Sequence, residues 1–153
     1  MFYRYACSVS EKTTEELRHE IKAATDIEDY LKSNKESLNV CNLSEYLNML
    51  LAQKGITKAD VVRDSSMTRS YVYQIFSGEK TPLRDKLIAI AFGLHLSDEE
   101  AQTMLKISKN RELYARDERD AIILYALQRN KTVYETNDLL FDHGFEMLGA
   151  MEE

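Results

Sequence analysis

The chain has little of what tight turns are made of. Its 153 residues include five glycines and one proline, where an average composition holds about 12% of the two together. Hairpin turns, phosphate-cradling loops and doubly wound folds draw on glycine for positive φ and for close backbone approach. The scarcity argues against a β-barrel, a β-sandwich and a nucleotide-binding α/β domain. No apolar run approaches the ~18 residues that cross a bilayer. The opening MFYRYACSVSEK lacks the longer apolar stretch of a secretory signal, so a soluble, cytoplasmic protein is expected. The two cysteines, Cys7 and Cys41, lie far apart and outside any C-x-x-C spacing. A disulfide between them is open on paper, and two free thiols in a reducing cytosol are the expectation. His19, His95 and His143 are scattered, none four residues from another or beside a cysteine pair, so no zinc site is expected and no cofactor is called for.

What is present suffices for a folded core. Hydrophobic residues make up 44% and charged residues 30% of the chain, a balance outside the range of global disorder. The length fits one ordinary domain or two very small ones. The formal net charge is −6 and unevenly spread. Residues 1–43 carry six basic and eight acidic groups and residues 87–153 carry seven and thirteen, while residues 53–86 carry seven basic groups against four acidic. An acidic chain argues weakly against a nucleic-acid partner; a local basic window permits one.

Helical signals dominate the pattern. Thr13-x-x-Glu16 reads as a capping box that opens a helix with Leu17, Ile21, Ala24, Ile27 or Glu28, and Leu31 on one stripe, ending near Ser33-Asn34. The polar SNKES links it onward. Asn42-x-x-Glu45 opens the next helix, with Tyr46, Leu47, Leu50 and Leu51 inward and Gly55 closing it. Thr57-x-x-Asp60 opens a short helix through about Asp64. Ser65-Ser66-Met67 turns the chain, and Thr68 caps a helix with Val72, Ile75 and Phe76 on one face, stopped at Gly78. Pro82 is placed at the first position of a fourth helix, which runs through Leu87, Ile90 and Ala91 to Gly93. Ser97-x-x-Glu100 caps a fifth, with Ala101, Met104 and Leu105 inward. After the polar stretch 108–116, DERDAIILYALQRN is helical and apolar on every side from Ala121 to Leu127, which signals burial all round. A last amphipathic helix is anchored by Val133, Leu140 and Phe141 and ended by Gly144.

The two short helices between Thr57 and Gly78 have the layout of a helix-turn-helix. In such a unit the second helix presents hydrogen-bonding side chains to base edges along one face, while its other face holds it to the domain. Here Val72, Ile75 and Phe76 anchor, and Arg69, Ser70, Tyr73, Gln74 and Ser77 face out. Arginine pairs with guanine O6/N7 and glutamine with adenine N6/N7, each worth ~1–3 kcal/mol of discrimination. The stretch ITKADVVRDSSMTRSYVYQIFSGEKTPLRDKLIAIAFGLHLS resembles the Cro-like phage-repressor helix-turn-helix family, also called the xenobiotic response element family. Thr57, Ala59 and Val62 match its scanning helix. Thr68 matches the start of its recognition helix, and Ile75, Gly78 and Pro82 match the end. Leu87, Ala91 and Leu94 match the helix that follows. Ser66 stands where the family usually has its turn glycine, Ser65 replaces the preceding aliphatic residue, and Phe76 replaces a frequent glutamate.

The resemblance implies an all-α fold. A five-helix Cro-like domain spans residues 43–107, with an N-terminal arm and helix over 1–42 and a C-terminal helical extension over 108–153. It implies a non-enzymatic transcriptional regulator of bacterial or prophage type that binds double-stranded DNA by sequence. Base contacts fall to Arg69, Ser70 and Gln74, with Thr68 near the start of the groove. Tyr73 is a candidate for thymine-methyl or phosphate contact, and Tyr71 for packing. Phosphate contacts fall to Thr57 and Lys58 at the scanning-helix N-terminus, where free N–H groups and the dipole favour an anion. Ser77, Gly78, Lys80 and Arg84 would grip the backbone on the other side.

Two further features bear on function. Asp98, Glu99 and Glu100 fit charge that complements a helix dipole; paired-carboxylate catalysis lacks a nearby nucleophile, metal or glycine-rich loop. The apolar run Ala121–Leu127 lies in a short tail with little of its own chain to bury it. It reads either as the core of a small appendage or as half of a homodimer interface. The rival class is a protein-interaction adaptor, or an antitoxin that binds both a toxin and its operator, with a protein partner on the N-terminal helix or the C-terminal extension.

Overall fold

The computed structural model describes residues 12–35, 38 and 41–148. The arm at 1–11, with Cys7, part of the SNKES linker and the final Glu-Glu lie outside these residues. The described residues form nine helices and no strand: α1 (Thr14–Ala23), α2 (Ile27–Ser33), α3 (Leu43–Lys54), α4 (Lys58–Ser65), α5 (Arg69–Ser77), α6 (Arg84–Gly93), α7 (Asp98–Ile107), α8 (Glu118–Gln128) and α9 (Val133–Asp142). The protein is all-α. No described helix is long and apolar enough to cross a membrane.

Helix starts follow the caps written in the sequence. Thr13, Asn42, Thr57, Ser97 and Thr132 each accept from the backbone N–H three residues on, and the acid at that position returns a bond to the cap. Such caps contribute about 1 kcal/mol each. The expected single N-terminal helix is two helices. The chain turns extended at Ala24, and Asp26 accepts from the Glu28 N–H to start α2. The apolar stripe runs across this break, because periodicity registers faces and not caps. α6 starts at Arg84 instead of Pro82, behind Leu83, which has no side-chain acceptor. Its first turn is held by tertiary ion pairs described below.

Where glycine is scarce, other residues take the left-handed conformation. Gly55 and Gly144 close α3 and α9 at φ 65° and 81°, while His95, Lys109 and Asn130 do the same after α6, α7 and α8 at φ 56°, 62° and 54°. At all five ends the next N–H reaches back to a carbonyl inside the helix: Ile56 to Leu51, Leu96 to Ala91, Asn110 to Leu105, Lys131 to Ala126 and Phe145 to Leu140, at 2.8–3.2 Å. This closure satisfies otherwise orphaned carbonyls. A side chain in the left-handed region costs roughly 1–2 kcal/mol, which the packing beyond each turn outweighs.

One core runs from Tyr46 to Leu148. Its axis is α6, buried at every residue from Leu87 to Gly93, with α4, α7 and α9 packed against it. All-round burial was expected for Ala121–Leu127. In α8 only Ile123, Ala126 and Leu127 of that run are buried, and Tyr125 is exposed. The apolar row is covered by the protein's own α7 and α9, which removes the ground for assigning it to a dimer interface. In α9 the anchors are Val133, Thr136 and Leu140. Phe141 is 69% exposed, because it lies about 100° further round the helix than Leu140. Two buried leucines outside the helices are held by side-chain amides that mimic backbone pairing. Gln102 donates to the Leu113 carbonyl (2.8 Å) and accepts from its N–H (2.7 Å). Asn137 does the same for Leu148 at 3.0 and 2.7 Å. The expectation of two free thiols turns on Cys7, which lies outside the described residues.

Candidate nucleic-acid interface

α4 and α5 are joined by Ser66, Met67 and Thr68. Ser66 takes the left-handed conformation (φ 63°, ψ 30°) at the place where the resemblance expects glycine. The serine before it has a packing reason. A Cβ on Gly93 of α6 would stand 2.9 Å from the Ser65 Cβ and 3.0 Å from the Val61 carbonyl. The helices cross so closely that the small Ser65 side chain already lies against the Gly93 backbone. Ser65 is buried, and its Oγ has no hydrogen-bond partner among the described residues.

α5 is fixed from both sides. Tyr71, Val72, Ile75 and Phe76 are buried. At its C-terminal end the Phe76 carbonyl accepts from Ser44 Oγ (2.7 Å) and Asn48 Nδ2 (2.9 Å), both on α3. The opposite face is left to solvent: Thr68, Arg69, Ser70, Tyr73 and Ser77 are exposed and Gln74 is half-buried. All five side chains expected to face out of the helix are therefore on its outer side.

The cations of the basic window sort into two sets. Arg63 pairs with Asp60 and Asp64, Lys54 with Glu100, and Arg84 with Asp120. Lys58, Arg69 and Lys80 make no ion pair among the described residues. They lie on tyrosine rings instead. The Lys58 Nζ and the Arg69 guanidinium stand 5.2 and 5.4 Å from the centre of Tyr73, and Arg69 Nη1 donates to Tyr73 Oη at 3.1 Å. On the other ring, the Nζ atoms of Lys80 and Lys86 stand 5.0 and 4.8 Å from the centre of Tyr71. Cation–π contacts at exposed sites contribute only about 0.5–1 kcal/mol, and Lys58, Arg69 and Lys80 keep a positive charge that no described carboxylate neutralises.

The remaining candidates are placed as follows. Thr57 is exposed, and its hydroxyl accepts from the Asp60 N–H (3.1 Å). The Thr57 backbone N–H holds the Asp60 carboxyl below its ordinary range. That charged carboxylate in the first turn offsets part of the attraction α4 would exert on an anion. Ser77 Oγ donates to the Gln74 carbonyl (3.0 Å), and Gly78 follows at φ 89°. Arg84 is not at the surface expected of a phosphate ligand. Its side chain is only 15% exposed. Nε donates to the Arg111 carbonyl, Nη2 to the Glu112 carbonyl and Asp120, and Nη1 to Asp120. The buried Asp120 carboxylate demands a cation, and Arg84 supplies it. Arg63 holds the Asp64 carboxyl low, with His95 Nε2 adding a second contact at 3.1 Å.

One part of this surface escaped the sequence. Lys86 reaches Tyr71 from another helix, and no spacing rule links them. The Arg69–Tyr73 contact, by contrast, is a four-residue helical spacing readable in advance. Among the described residues, no group of three or more His, Cys, Asp and Glu side chains could hold a metal. Comparisons with protein families, curated proteins and solved structures found no match.

Proposed function

We propose that this chain binds double-stranded DNA by sequence, as a Cro-like helix-turn-helix transcriptional regulator of bacterial or prophage type acting in the cytoplasm. The observation that carries this reading is the outer face of α5. Arg69, Ser70, Tyr73 and Gln74 stand on a helix whose inner face is buried, with Lys58 and Lys80 beside it. A helix of this kind fits the major groove, where arginine and glutamine match the acceptor and donor patterns of guanine and adenine. Lys58 lies at Tyr73 and Lys80 at Tyr71. Thr57, Ser77 and Gly78 complete the backbone-gripping set, and Arg84 leaves it.

Selection from a random duplex library tests the proposal. The expected outcome is an enriched motif whose affinity falls by orders of magnitude between ~50 and ~200 mM salt, as neutralising several phosphates requires. No enriched motif and no salt dependence would dismiss it.

The proposal includes a two-fold homodimer, since one module offers few base-reading side chains and two would read half-sites about 34 Å apart. Sedimentation of the full chain with and without the selected duplex decides this. A protein-binding adaptor or antitoxin is the second reading. It is favoured by α1 and α2, which leave Ile21, Ile27 and Leu31 exposed on adjoining helices. An adaptor binds its partner without the salt sensitivity above.

A further inference from the structure

We propose that Tyr73 is a positioning residue: it acts on DNA through Arg69 and Lys58 and touches no base itself. The inference rests on the DNA-binding reading above and reassigns a side chain expected to contact the duplex directly. Tyr73 is 37% exposed, so it is neither core nor free surface. Its hydroxyl accepts from Arg69 Nη1 at 3.1 Å, and its ring lies against Arg69 of α5 and Lys58 of α4 at 5.4 and 5.2 Å. The ring is already engaged by two cations, which leaves it poorly placed to stack on a base.

The arrangement does two things. Arg69 is the first residue of α5, and a long exposed side chain there has many rotamers. Bonding Nη1 to Tyr73 selects one and leaves the Nε and Nη2 edge open. That edge is a two-donor fork of the kind that reads guanine O6 and N7. The ring also holds two like charges from different helices, so a base-reading group and a phosphate-gripping group stand in fixed register. A cation freed from such a register pays its ordering entropy when it binds.

A double-mutant cycle on the full-length protein tests this. Y73F, Y73A, R69A and R69A/Y73F are titrated with the selected duplex and with duplexes altered one base pair at a time. Thermal melts check that each variant folds, as an exposed position allows. Y73F removes the hydroxyl and keeps the ring. It is expected to lose roughly three- to ten-fold discrimination, only at the base pair that R69A affects, and R69A/Y73F should match R69A. Y73A should in addition flatten the salt dependence, by loosening Lys58. In the free protein, NMR should show faster rotation of the Arg69 guanidinium in Y73F. Additive losses in R69A/Y73F, or a loss at a base pair that R69A leaves alone, would make Tyr73 a reader and overturn the proposal. Wild-type discrimination in both Tyr73 variants would overturn it equally. Failure of the wild-type protein to select any duplex overturns the DNA-binding reading, and this inference with it, and is distinct from those outcomes.

Discussion

Arg84 Nη2 stands 3.0 Å from Asp120 Oδ2, and beside it Arg119 Nη2 stands 2.9 Å from Asp85 Oδ2. An Arg-Asp pair opening α6 thus meets an Arg-Asp pair in the first turn of α8, each arginine on the other's aspartate. Asp120 also accepts from the Tyr114 N–H at 3.0 Å, and Arg119 donates to the Glu146 carbonyl. This double clamp makes the C-terminal helices part of the body that carries α4 and α5.

Breaking the clamp from one side should be costly. Asp120→Asn keeps the shape and leaves Arg84 without its charge partner, so a loss of about 3–5 kcal/mol is expected, measured by chemical denaturation. Arg84→Lys, if folded, should bind DNA with an unchanged salt dependence. A slope lower by one unit would return Arg84 to the phosphate contacts.

Base reading should be local. Arg69→Ala and Gln74→Ala should each cost ~1–3 kcal/mol on the selected duplex and little on random DNA. Equal losses on both, in paired titrations, would show that neither side chain reads bases.

Phosphate grip should be general. Lys58→Ala and Lys80→Ala should each weaken binding to every duplex and flatten the log-affinity against log-salt slope by about one unit. A full wild-type slope in either variant would strike that lysine from the interface.

The α4–α6 crossing should respond in opposite directions to two small changes. Ser65→Ala removes an unpartnered buried hydroxyl and should stabilise by about 1 kcal/mol. Gly93→Ala pushes a methyl against the Val61 carbonyl and the Ser65 Cβ. It should destabilise by roughly 1–3 kcal/mol despite alanine's better helix propensity. Melting midpoints of the two variants on the same side of wild type would refute this account of the crossing.

Alkaline pH should unlock the α3–α7 contact. Burial, with the nearby Glu100 charge, pushes the Tyr46 hydroxyl up from 10.0 to about 12. The folded state therefore keeps a proton that the unfolded chain gives up. The stability this neutral phenol represents is complete below pH 10 and declines as pH rises through 12. Tyr46→Phe should flatten that decline in denaturation curves taken across this range.

The local levels of this structure were legible in residue order. Four of the five capping boxes, the glycine ends of α3 and α5, and the division of α5 into Val72, Ile75 and Phe76 inside and Arg69, Ser70, Tyr73 and Gln74 outside all depend on groups within a turn or two of one another. Spacing alone places such groups. The break at Asp26 was equally local, but it was hidden under a stripe of apolar residues that runs across it.

What the sequence determined by itself is therefore the all-α class, most helix ends and which face of each short helix is polar. Only the tertiary structure decided the rest. It made α6 the helix buried on every side, covered the apolar row of α8 from within, drew Arg84 away from the surface and set Lys58 and Lys86 against tyrosines of another helix. The physical reason is the same in each case. A side chain's burial and a charge's partner depend on groups tens of residues away, and the Arg-Asp pairs of α6 and α8 have no spacing rule to announce that they will meet.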